Sequence, residues 1–196
     1  MRFDPTCYVK VVRGRVRRAG PGDGAAIARV HAESWRLTYA GLVSPRYLAG
    51  LDEESLEARW RDRLRAPTGD DLILVAELDG RVVGFALSRP CREEPELTDF
   101  AGEIQMLYVH PSAQRRRLGR ALFERARAEL SARRLFWLVV WVVEENHAAR
   151  AFYRRVGLRP DGGRRTDHLA GEPVAVIRYA GPLNPVVDFE ALVRPR

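Results

Sequence analysis

Glu103-Ile-Gln-Met-Leu-Tyr-Val-His-Pro-Ser-Ala-Gln-Arg-Arg-Arg-Leu-Gly-Arg-Ala-Leu122 reads as a strand, then an arginine-rich loop, then the opening turns of a helix. The first turn of a helix carries four unpaired backbone N–H groups and the positive end of the macrodipole. Such a terminus can hold a phosphate without any particular side chain. Gly119 lets another group approach the backbone closely, and Arg115, Arg116, Arg117 and Arg120 add positive charge. The same residues also fit a solvated basic helix start anchored by Leu118 and Leu122. This segment by itself leaves both readings standing.

The neighbouring residues set it in a larger pattern. Pro111 ends the strand that starts at Glu103, and a helix is expected from Gln114 to Ala132, with Leu118, Leu122, Ala126 and Leu130 on one stripe. Upstream, Leu72–Leu78 and Arg81–Leu87 are β-rich runs joined by Asp79-Gly80, a pair that accepts the positive φ of a type I′ hairpin turn. Downstream, Leu135–Val143 is apolar throughout, as expected of a central strand covered on both faces. Asn146 caps a short helix, His147–Val156, that Gly157 ends. Val174–Ala180 reads as the last strand.

Nearer the start, Val11–Ala19 is strand-like. Asp23 can cap a helix through Val30 that continues toward Tyr39, and Pro45–Leu48 fits a short helical turn. Asp52 caps a helix in which Leu56, Trp60 and Leu64 recur every four residues. The order β-α-α-β-β-β-α-β-α-β describes one mixed α/β domain over 11–181. Residues 1–10 form an N-terminal extension and 182–196 an irregular C-terminal tail.

Composition excludes several classes. The 196 residues suit one domain, with 46% hydrophobic and 30% charged residues as in ordinary soluble proteins. No apolar run approaches a membrane span, and the first residues lack a signal-peptide layout, so a cytoplasmic location is expected. Cys7 and Cys91 make neither a disulfide framework nor a CxxC site, and the scattered histidines lack metal-ligand spacing, so no metal is expected. The net charge of +7 is almost all arginine, with Lys10 the only lysine, and is interspersed with Glu and Asp. It carries no nucleic-acid-binding motif, so no specific nucleic acid and no membrane are expected as partners; the charge would draw in an anionic cofactor.

A second segment, Asn146-His-Ala-Ala-Arg-Ala-Phe-Tyr-Arg-Arg-Val-Gly-Leu158, tips the balance. Together the two segments resemble the GNAT superfamily of N-acetyltransferases. Val109 and Pro111 match that family's strand end, and Gln114 and Gly119 its phosphate loop. Asn146, Ala149, Phe152, Tyr153, Gly157 and Leu158 match its later block. The match is detailed over 75–160. It implies a single mixed, mostly antiparallel sheet flanked by helices, with acetyl-CoA as co-substrate. Arg117 departs from the pattern: it stands where the family's first loop glycine would be. Its side chain is expected to swing outward toward a CoA phosphate.

By the same resemblance, the pantetheine arm pairs with the backbone of Leu107, Tyr108 and Val109. The pyrophosphate sits on amides of Arg115, Arg116, Arg117, Leu118, Gly119 and Arg120 beside Gln114. Asn146, Phe152 and Tyr153 flank the cofactor. An N–H near Leu107 or Tyr108 stabilises the oxyanion, Tyr153 is the general acid to sulfur, and Glu103 the general base. Tyr153 also reads as a ring packed beside Phe152, and Glu103 as a strand-edge charge. Trp35 and Tyr39, four apart on one helical face, line the acceptor pocket or pack in the core. The favoured acceptor is a small-molecule amine; the alternatives are a protein or peptide N-terminus, or a non-catalytic basic binding module. A homodimer stays open.

Overall fold

The computed structural model describes residues 14–66, 69–92 and 94–184. The proposed extension at 1–10, the start of the first strand at 11–13, Cys7, and the tail beyond 184 lie outside these residues. Twelve elements follow in order: β1 Gly14–Arg18, α1 Gly24–Thr38, α2 Pro45–Ala49, α3 Glu53–Arg65, β2 Leu72–Leu78, β3 Arg81–Pro90, β4 Ala101–Val109, α4 Leu118–Ala132, β5 Trp137–Val143, α5 His147–Arg155, β6 Arg159–Leu169 and β7 Glu172–Pro182.

The strands form one seven-stranded sheet in the order β1-β2-β3-β4-β5-β7-β6. Only β4 and β5 run parallel; every other pair is antiparallel. The sheet is therefore mixed and mostly antiparallel, as expected.

Alternation along the strands builds two cores. Leu72, Leu74 and Ala76 of β2 point to one face, where Leu122, Phe123, Ala126 and Leu130 of α4 cover them. Ile73 and Val75 point to the other, against Ile27 and Val30 of α1 and Leu56 and Trp60 of α3. Because both faces are covered, β2 is buried almost end to end. The Asp79-Gly80 turn adopts φ values of 49° and 78°, the left-handed pair a type I′ hairpin needs. Asp52 caps α3 through its carboxylate, which accepts from the N–H groups of Glu54 and Ser55 at 3.1 Å each.

Three expectations need correction. Asp23 stands at the cap of α1 but makes no side-chain cap bond. Its carboxylate instead accepts from Arg17 and from the Gly20 N–H at 2.7 Å. Helix α4 begins at Leu118 rather than Gln114, because Arg115 and Arg117 adopt left-handed backbone with φ of 60° and 62°. And β6 is a strand that hydrophobic periodicity did not reveal. It is a polar edge strand, exposed along most of its length, joined to β7 by a left-handed Ala170-Gly171 turn. No helix among the described residues is long and apolar enough to cross a membrane.

Candidate active site

The site is built where β4 and β5 part. Their parallel pairing covers only Ala101↔Trp137, Gly102↔Leu138 and Glu103↔Val139. Beyond Glu103, β4 stays with β3 while β5 stays with β7. The β3–β4 register slips between Leu87 and Ser88, passing over Gln105, so β4 carries an extra residue just where the strands separate. Such a bulge bends a strand and sharpens its twist. Past the fork, the backbone groups of β4 that face the gap have no strand partner, an edge that an extended ligand can pair with.

Past the fork, β4 serves two chambers: Val109 lines one, Met106 and Tyr108 the other, and Leu107 both. A cleft of about 590 Å³ is lined by Leu107 and Val109 of β4, the loop at Gln114, Arg115 and Arg117, the start of α4 at Leu118–Arg120, and Phe152 and Tyr153 of α5. Gly119 lacks the Cβ that would stand 3.7 Å from Phe152 and Val109, which keeps the strip over the helix start open. Arg115 and Arg117 are both left-handed, the kind of backbone from which anion-binding nests are built. The Arg115, Arg116, Arg117 and Arg120 side chains are exposed around it. His110 braces the loop: its Nδ1 accepts from the Ser112 N–H at 3.2 Å, and its Nε2 meets the Glu33 carboxylate of α1.

A second cavity, of about 460 Å³, opens on the other side of the fork. Glu103 forms part of its wall, together with Trp35 and Tyr39 of α1 and Met106 and Tyr108 of β4. Trp141 of β5 and Arg165, Asp167 and His168 of β6 line it too. Glu103 is only 5% exposed, with Arg89 Nε 3.9 Å away. The Tyr39 and Tyr108 hydroxyls are hydrogen-bonded at 3.1 Å. Behind them His31 stacks on Tyr108 and meets Trp35 edge-on. Arg165 lies over the Trp141 ring at 4.3 Å.

Leu107, Ala149 and Tyr153 line both chambers. Tyr153 is 7% exposed, and burial pushes its phenol well above the ordinary tyrosine range, with Tyr39 adding to the effect. It is therefore a neutral O–H donor at working pH. Among the described residues no hydrogen bond occupies that hydroxyl.

A model of the acetyltransferase (GNAT) family matches residues 32–158. The chain belongs to this family. It is 34% identical over 131 residues to YuaI of Bacillus subtilis, described as an uncharacterised N-acetyltransferase, covering 67% of this chain and 72% of that one. A spermidine N(1)-acetyltransferase of Thermoplasma acidophilum is 24% identical, over 79% of this chain and 93% of its own. The PaiA N-acetyltransferase of the same organism, solved in complex with coenzyme A, superposes with a TM-score of 0.66 at 20% identity. That match covers 85% of this chain and 98% of PaiA. As a GNAT member the protein is an acetyl-CoA-dependent N-acetyltransferase.

The structure gathers most of the expected site residues, divided between the two chambers. Leu107, Val109, Gln114, Arg115, Arg117, Leu118, Gly119, Arg120, Phe152 and Tyr153 line the cleft. Tyr108 and Asn146 instead line the second cavity, with Glu103, Trp35 and Tyr39. The Asn146 carboxamide caps α5, accepting from the Ala149 N–H at 3.0 Å. Arg116 lines neither chamber, and His147 is exposed. Sequence reading passed over Trp141, Arg165, Asp167 and His168. Trp141 was hidden in an apolar strand, and the others lie on the polar edge strand β6. A polar run ending in Ala-Gly before Val174–Ala180 is the one signal that could have exposed that strand.

Proposed function

We propose that this enzyme moves the acetyl group of acetyl-CoA onto the primary amine of a small molecule by direct attack. The observation that carries the reading is the meeting of two chambers at Leu107, Ala149 and Tyr153. The cleft suits pantetheine and pyrophosphate, and the walled cavity of about 460 Å³ suits a compact acceptor.

The amine nitrogen attacks the thioester carbonyl, forming the C–N bond. A backbone N–H of Leu107 or Tyr108, facing the unpaired side of β4, stabilises the oxyanion. Collapse of the tetrahedral species breaks the C–S bond. The Tyr153 O–H, held neutral by burial, gives its proton to the departing sulfur. The proton lost by the amine goes to Glu103, directly or through water, and leaves by way of solvent, from which Tyr153 regains its own. Arg115, Arg117 and Arg120 balance the charge of the phosphates at the mouth of the cleft.

Replacing Tyr153 with Phe keeps the ring and removes the donor. The expected outcome is a kcat lower by about 10²–10³-fold with acetyl-CoA affinity retained. A Tyr153→Phe enzyme with full kcat would remove Tyr153 from the proton path.

A further inference from the structure

The acceptor cavity holds more hydrogen-bond donors than the protein uses. Trp35 Nε1 is buried and reaches no hydrogen-bond partner. An indole nitrogen can only donate. Beside it lie the Tyr39 and Tyr108 hydroxyls, which share one hydrogen bond of 3.1 Å. Burial raises the Tyr108 phenol well above its ordinary value, and the Trp35 N–H, near that hydroxyl but without a well-formed hydrogen bond to it, acts more weakly the other way. The three groups are thus immediate neighbours lining one cavity. Counting donors, one indole N–H and two O–H groups face a single hydrogen bond. The indole N–H makes no well-formed hydrogen bond, and one hydroxyl proton is left over for a ligand.

Packing holds these groups in place. His31 stacks on Tyr108 with ring centroids 5.7 Å apart and meets Trp35 edge-on at 5.3 Å. Trp35 in turn meets Tyr39 edge-on at 4.9 Å. A buried donor left unsatisfied costs about 1–3 kcal/mol, so the Trp35 N–H, held rigidly beside the tyrosine pair, favours a ligand that brings an acceptor atom. Glu103 and Asp167 line the same cavity, each beside an arginine, Arg89 at 3.9 Å and Arg165 at 3.4 Å, so its walls carry no surplus positive charge to draw in an anionic ligand.

We propose that Trp35, with the Tyr39–Tyr108 pair, is the specificity determinant of the acceptor cavity, and that it selects amines bearing a neutral hydrogen-bond-accepting oxygen, an amide carbonyl or a hydroxyl, close to the amino group. This rests on the cavity being the acceptor site. A site that hydrogen-bonds a substrate oxygen rejects the analogue lacking it far more strongly than a pocket senses one methylene.

The test compares four acceptors of similar size: glycinamide, 2-aminoethanol, glycine and propylamine, with spermidine as a longer oxygen-free amine. In the wild type, kcat/KM for glycinamide or 2-aminoethanol exceeds that for propylamine and spermidine by about tenfold or more, and glycine is the poorer oxygen-bearing acceptor. In Trp35→Phe, and separately Tyr39→Phe, the ratio falls toward unity, chiefly through KM of the oxygen-bearing acceptor. Equal loss on all acceptors would overturn the proposal, because it would place the donors on the acetyl oxygen instead. So would a wild type that prefers propylamine or glycine. Binding of the product amides N-acetylglycinamide and N-propylacetamide to the CoA complex, followed by NMR, gives a readout independent of turnover. If no amine releases thiol, the acceptor reading fails, and preferential binding of N-acetylglycinamide that Trp35→Phe abolishes still supports the donor pair. Equal binding of the two amides refutes it.

Discussion

Arg117 is the point where this chain departs most clearly from its family's loop, and the backbone shows how the departure is accommodated. Its φ of 62° is a conformation glycine adopts freely and arginine adopts at a cost of about 1 kcal/mol. The side chain is exposed at the cleft it helps to line. An exposed guanidinium beside a phosphate site acts through charge, which salt screens. Arg117→Ala should weaken acetyl-CoA binding about threefold to tenfold at low salt, with the difference shrinking as salt rises. Calorimetric titration across a salt series reads this directly, and an unchanged affinity throughout would free Arg117 of any role. Glu103 poses the corresponding question on the acceptor side. If it removes the amine proton, Glu103→Gln lowers kcat/KM most at acidic pH, where more of the amine arrives protonated. A pH–rate profile of unchanged shape would reduce Glu103 to the buried partner of Arg89.

Among the elements, β4 and the opening of α4 do most to make the site, and they were legible to different degrees. The strand, the proline that stops it and the stripe Leu118–Leu122–Ala126–Leu130 are visible as period and punctuation. The fork is not. Nothing in Glu103–Val109 announces that pairing with β5 ends at Val139, because register and bulge depend on three strands at once. The late start of α4 was hidden likewise, since three arginines carry no signal of left-handed backbone. β6 was missed because Arg159–Leu169 is a solvated edge strand, and alternation marks only strands with a buried face. At Gly119 the element's shape yields a prediction. A Cβ there makes ordinary contacts of 3.7 Å, so the helix tolerates one, but the branches of a valine enter the cleft. Gly119→Val should lose at least about tenfold in acetyl-CoA affinity while melting within a few degrees of wild type. Undiminished binding would mean that acetyl-CoA does not run along the start of α4.

For the whole molecule, the aromatic cluster around His31, behind the second cavity, couples stability to pH. Burial holds the His31 pKa down to about 4, with the Arg59 charge adding to the effect. Trp60 Nε1 donates to its Nδ1 at 3.3 Å, an arrangement only the neutral ring can keep. The unfolded chain takes up this proton near pH 6.5 and the native state near 4, so stability is lost as pH falls through that window. The full loss is roughly 3 kcal/mol. His31→Gln should flatten the dependence of melting temperature on pH between about 6.5 and 4. A slope equal to that of wild type would contradict the assignment. The apolar stripes of the helices and the order of most elements could be read from the sequence, since they follow from hydrophobic period, whereas their division between two cores could not. The division of the site into two chambers could not, because it arises from where strands cease to pair. The central claim is that acetyl-CoA in the cleft meets a small amine in the cavity at Tyr153. Thiol release from acetyl-CoA, measured with a panel of small amines and peptides, tests it most directly. Release is expected to saturate with a small amine and to fall by about 10²-fold or more in Tyr153→Phe. Release with peptides alone, or with no amine at all, would contradict it.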